Sequence, residues 1–136
     1  MSDAQQSLDR HNQARAEKGV QPLQWDDQLA SDAEAYAQKL AGMNCLQHSG
    51  VVSENLAWAS DDCSFDRAVE MWLSEEKDYH GERIGEGNFM AYGHYTQAMW
   101  SSTTHIGMGR AKTSDGATFV VGIYNPGGNM TGETPY

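Results

Sequence analysis

Gly93-His94-Tyr95-Thr96-Gln97-Ala98-Met99-Trp100 places an imidazole, a phenol, a hydroxyl, an amide and an indole within eight residues, a density of chemistry matched nowhere else in the 136-residue chain. Tyr95, Met99 and Trp100 recur at helical spacing, which predicts a helix that turns these side chains toward a core. His94 stands where a glycine-rich segment gives way to ordered structure, a common position for a site residue. On this stretch alone the same histidine reads equally well as a structural hydrogen-bonding group.

Downstream, two short apolar runs at 106–112 and 118–124 flank Thr113-Ser114-Asp115-Gly116, the signal of a β-hairpin. Asn125-Pro126-Gly127-Gly128-Asn129 then reads as a compound turn. Upstream, residues 80–92 alternate Gly81, Gly85 and Gly87 with Ile84, Phe89, Met90 and Tyr92. That loop is too apolar to be merely solvated, so it reads as a lid or a lipid-contacting surface, with Phe89, Met90 and Tyr92 as ligand contacts.

Further back, a helix over 64–79 is predicted from Phe65, Ala68, Val69 and Trp72 on one face. Glu75 lies three residues past Trp72 and shares its face one turn on, while Glu76 rotates toward the edge and stands as the alternative. The other reading of both is a solvated Glu-Glu-Lys run. Residues 43–53 lose all periodicity and form a loop containing His48-Ser49-Gly50, followed by Ser53-Glu54-Asn55-Leu56-Ala57-Trp58, which leaves Glu54 between polar and apolar runs. Before it, Asp26 caps a helix over 27–41 whose stripe is Leu29, Ala33, Tyr36, Ala37 and Leu40, with Gly42 as its end. Pro22-Leu23-Gln24-Trp25 is an extended connector. A first helix runs from a Ser2 or Asp3 cap to about Lys18, with Leu8, His11, Asn12 and Arg15 on one face and Gly19 as the stop; His11 reads as structural.

Length fits one domain, 1–136, with its own core. Nine basic against nineteen acidic residues give a net charge of −10, and the basic residues form no stripe, which argues against nucleic acid and against binding to anionic lipid. No apolar run approaches the roughly 20 residues of a membrane span, and the amino terminus lacks the progression of a signal peptide. Composition alone fits either a cytosolic chain or a mature secreted form. Cys45 and Cys63 read from spacing as either a disulfide or two buried thiols.

The run from Gly93 to Trp100, with Ile106-Gly107 after it, resembles the first signature of the CAP family, which comprises the cysteine-rich secretory proteins, antigen 5 and the plant pathogenesis-related 1 proteins. Residues 8–15 resemble its opening helix, Ser53 to Ala57 its Gly-Glu-Asn-Leu-Ala element with Ser53 in the usual glycine position, and residues 119–129 its second signature. The tail 131–136 is similar to the closing extension of many members. The likeness spans residues 8–136. It implies an α+β fold, a three-layer α-β-α sandwich around a small antiparallel sheet of about three strands. Many members carry cysteines where Met108 and Gly122 stand, positions expected to face each other across the hairpin; that bridge cannot form here. Together with the even cysteine count and the secreted family, this leads to the expectation of a Cys45–Cys63 disulfide, worth roughly 3 kcal/mol by loop closure.

The resemblance also assembles His48, Glu54, Glu75 and His94 into the family's tetrad. Neutral imidazoles are good ligands for zinc or a similar divalent metal, so His48 and His94 are the metal-ligand candidates. Glu54 and Glu75 would orient the imidazoles or, as the catalytic candidates, take a proton from bound water. A purely structural polar network is the alternative. The resemblance implies a secreted, metal-binding module with a sterol or other neutral lipid as ligand; a metal-assisted hydrolase such as a peptidase, and a scaffold for a protein partner, are the other readings. For a hydrolase, Ser49, Thr96 and Gln97 are the nearby nucleophile and oxyanion-donor candidates.

Overall fold

The computed structural model describes residues 2–48 and 53–136. Its elements are α1 (Asp3–Glu17), β1 (Gln24–Trp25), α2 (Asp27–Met43), β2 (Glu54–Ala59), α3 (Phe65–Leu73), a 3-10 helix (Ser74–Asp78), α4 (Phe89–Met99), β3 (His105–Lys112) and β4 (Thr118–Asn125). The strands form one sheet in the order β1-β3-β4-β2. β3, β4 and β2 are antiparallel, as expected, and the two residues of β1 add a fourth, parallel strand. The connector around Trp25 is therefore part of the sheet: Gln24 and Asp26 donate their N–H groups to the carbonyls of Thr104 and Ile106.

Three layers follow from which faces are apolar. The α2 stripe of Ala33, Ala37 and Leu40 packs with Leu56, Phe119 and Val121 on one face of the sheet. On the other, Ala68, Val69 and Trp72 of α3 and Ala98 of α4 pack with Ala57, Ile106, Met108 and Val120. α2 lies almost in contact with the β3 backbone. A Cβ at Gly107 or Gly109 would overlap the main chain of α2 at Ala30 and Glu34, so only glycine permits this approach.

Caps set the helix ends. Ser2, Asp26 and Ser64 accept main-chain N–H groups at the starts of α1, α2 and α3. α2 runs past Gly42 to Met43, because Asn44 takes the left-handed conformation that ends it. The helix expected over 64–79 changes character at Ser74, where the chain tightens into the 3-10 turn that carries Glu75. Met108 pairs with Gly122, as expected from the hairpin.

Two expectations are corrected. Cys45 and Cys63 are both free thiols. Cys45 is exposed just beyond α2 on one side of the sheet, whereas Cys63 is buried in the core on the opposite side, so the sheet separates them. Residues 80–92 are not one loop either. Phe89 to Tyr92 form the first turn of α4, Ile84 is buried, and the tail fastens the segment through Ile84 N–H to Glu133 O and Gly132 N–H to Ile84 O.

Candidate functional site

β2 runs along one edge of the sheet, and its first two residues point to opposite faces. Leu56 belongs to the core under α2 and Ala57 to the core under α3 and α4, so strand alternation sends Glu54 toward the first face and Asn55 toward the second. The cleft straddles this edge. His48, in the segment between α2 and β2, donates from Nδ1 to Glu54 Oε1 at 3.1 Å, with the imidazole 59% exposed and the carboxylate side chain only 2% exposed.

The second pair is tighter. His94 Nδ1 donates to Glu75 Oε2 at 2.7 Å, while the main-chain N–H groups of His94 and Tyr95 both donate to Glu75 Oε1, at 2.9 and 3.2 Å. One carboxylate therefore grips both the ring and the backbone of His94. Trp72 stacks on the imidazole with centroids 6.3 Å apart and planes 19° from parallel. Glu76 points elsewhere, to Lys18 Nζ at 3.2 Å, so Glu75 is the glutamate that meets a histidine.

Both imidazoles line one cleft of about 80 Å3, with Glu54, Asn55, Phe89, Met90, Gly93 and Asn129. Each has its Nδ1 bound to a carboxylate. Among the described residues neither Nε2 has a hydrogen-bond partner, and no three His, Cys, Asp or Glu side chains converge as a ready-made cation cage. The donor set fits a metal held by few protein ligands. Carboxylate contact at Nδ1 fixes the tautomer that leaves the Nε2 lone pair available, the arrangement characteristic of metal-binding histidines.

The remaining candidates divide. Phe89 and Met90 lie on the cleft, Met90 with most of its surface exposed. Tyr92 does not: it is fully buried against Tyr79 and Phe89, its hydroxyl donating to Glu86 O at 2.6 Å, because a phenol in the core must find an acceptor. Thr96 Oγ1 donates to Asn129 Oδ1 at 2.6 Å, with Gly93 O 3.1 Å from the same hydroxyl. Gln97 is buried, and its Oε1 accepts from Gly128 N–H. Neither lines the cleft. Ser49 lies outside the described residues. Asn55 and Asn129 are cleft residues that the sequence reading did not single out. Asn129 lies in the compound turn at φ +55°, a conformation Asn tolerates better than most residues, and that was its one sequence-level signal.

Known proteins resemble this chain in sequence and in fold. Pathogenesis-related protein 1C of Nicotiana tabacum is 42% identical over 134 residues, covering 97% of this chain and 80% of that protein. Golgi-associated plant pathogenesis-related protein 1 of Homo sapiens is 38% identical over 131 residues, covering 93% and 84%. The crystal structure of NaASP2 with Zn2+ shares the fold with a TM-score of 0.81 at 24% identity, covering 100% of this chain and 86% of that one. The profile of the cysteine-rich secretory protein family matches residues 8–124, and the chain belongs to this CAP family.

Proposed function

We propose that the chain is a secreted, defence-related binding module whose cleft holds one divalent metal, zinc by the chemistry of its donors, through His48 and His94. The observation that carries this is the pair of imidazoles in one cleft, each gripped at Nδ1 by a glutamate and each leaving Nε2 without a partner among the described residues. A bound metal would supply Lewis acidity and open positions for water or a ligand atom. Glu54 and Glu75 hold the rings in the ligating tautomer, and Trp72 fixes the plane of His94. The relatives' names support the setting: "secretory" describes the family, "Golgi-associated" the human protein, and "pathogenesis-related" both of the relatives named above. One fold neighbour was crystallised with Zn2+.

Cleft size bears on the lipid reading. Drug-sized ligands fill pockets of about 300–1,000 Å3, against about 80 Å3 here. A sterol or other neutral lipid would thus rest on Phe89 and exposed Met90 at the rim and would not be engulfed. A binding role is favoured over a hydrolase because, of the nucleophile and oxyanion-donor candidates among the described residues, neither Thr96 nor Gln97 lines the cleft.

Calorimetric titration of zinc into the metal-free chain tests the proposal. One site per chain is expected, weakening on acidification because a ligating imidazole nitrogen must be unprotonated. His48→Ala and His94→Ala are each expected to lose at least tenfold in affinity. If both bind zinc as tightly as the unmodified chain, the four residues are a structural network and the metal reading is wrong.

A further inference from the structure

A chain of hydrogen bonds runs from α1 through the sheet to the cleft, and its direction can be assigned atom by atom. His11 Nδ1 lies 2.9 Å from Ser7 O, a carbonyl that can only accept, so Nδ1 carries the proton. Burial pushes the His11 pKa down to about 4, so near neutral pH the ring is uncharged and Nε2 holds a lone pair. Tyr124 OH, 2.7 Å away, must then donate to that nitrogen. With its own proton committed, the Tyr124 oxygen accepts from Asn55 Nδ2 at 3.3 Å. The second hydrogen of the same amide goes to the main-chain carbonyl of His94, 3.0 Å away. Every proton in this chain has one place to go, so the amide cannot flip without breaking two bonds.

His94 is thereby held from both sides. Glu75 takes its ring Nδ1–H and its main-chain N–H, and Asn55 takes its main-chain carbonyl. Asn55 is only 2% exposed, yet it lines the cleft beside the two imidazoles. We propose that Asn55 is a positioning residue of the cleft: its amide, locked by Tyr124 and His11, fixes the backbone of His94 and so the aim of the His94 ring. A side chain acting only as core filler would have no need of this orientation.

The affinity arm of the test rests on the metal reading above, whereas the spectroscopic arm does not. In metal-free protein with 15N-labelled histidine, at neutral pH, Asn55→Ala is expected to shift the ring-nitrogen resonances of His94 while leaving those of the exposed His80 in place. Zinc affinity is expected to fall about tenfold, the lower end of what losing an outer partner of a metal ligand costs. Tyr124→Phe keeps the amide but frees one of its two anchors, and a smaller shift in the same direction is expected; it also carries the test if Asn55→Ala does not fold. Unmoved His94 resonances in the folded variants overturn the proposal, as does a zinc affinity equal to that of the unmodified chain. If the unmodified chain binds no zinc, the metal reading falls and the resonances alone decide the role of Asn55.

Discussion

His11 and His94 are both hydrogen-bonded histidines, and the contrast between them separates structure from site. His11 is fully buried, with Nδ1 on Ser7 O and Nε2 on Tyr124 OH, so both nitrogens are used. His94 has one nitrogen on Glu75, and its side chain is 32% exposed. Arg15 belongs with His11: its guanidinium, with no exposed surface, donates to the carbonyls of Gln21, Ala98, Trp100 and Thr103. In the α1 region valence is saturated and water is excluded, which gives rigidity. At the cleft each histidine is oriented through Nδ1, and its Nε2 has no partner among the described residues. A polar network with an unused lone pair facing a cavity is what a ligand can exploit.

The largest effect is expected where saturation is complete. Arg15→Met removes a donor from four carbonyls in one step, of which Trp100 O keeps a second one from Thr103 N–H, and an orphaned buried acceptor costs about 1–3 kcal/mol. A loss above about 4 kcal/mol is expected, a large share of the roughly 5–15 kcal/mol that holds a domain together. Urea denaturation measures it. A loss below about 1 kcal/mol would mean that the α1 network is not the structural half of the comparison.

Acid is expected to act next. The His11 ring is held near pKa 4 by burial, against 6.5 in the unfolded chain. Between these values the unfolded chain takes up a proton that the folded one refuses, so this group's contribution to stability declines as pH falls from 6.5 to 4 and is level below that. A gap of about 2.5 units amounts to about 3 kcal/mol. Comparing the pH slope of stability in the unmodified chain and in His11→Asn isolates it; equal slopes would show that His11 does not carry the effect.

Much of the fold was legible because its periodicities are local. The α2 stripe, the Asp26 cap and the existence of the hairpin follow from spacing, while the facing of Met108 and Gly122 came from the family resemblance. The tetrad was not legible in that way. His48, Glu54, Glu75 and His94 come from four segments, and no interval in the chain announces that β2's edge brings them together; the family resemblance assembled them. Glu75 over Glu76 was legible from its offset of three from Trp72, although the 3-10 turn that carries it is a change no side-chain pattern marks. Tyr92 and the cysteines misled in related ways. Sequence shows an apolar aromatic or an even thiol count, but not which face of a helix is covered, as at Tyr92, nor which side of the sheet a thiol lies on.

The smallest expected effect on stability is at the cleft itself, and it is the sharpest test of the contrast. The His94–Glu75 pair is partly open to solvent and the His48–Glu54 pair more so on its histidine side. Water can reach the place a removed imidazole leaves, and a hydrogen bond of this kind nets about 1 kcal/mol. His48→Ala and His94→Ala are therefore each expected to change unfolding free energy by no more than about 1 kcal/mol, with His94 the larger because its ring also stacks on Trp72. Measured in metal-free protein, this compares directly with Arg15→Met. If His94→Ala were as damaging as Arg15→Met, the cleft would be one more structural network. A small loss in stability together with a large loss in zinc affinity is the signature of residues placed there for something other than folding.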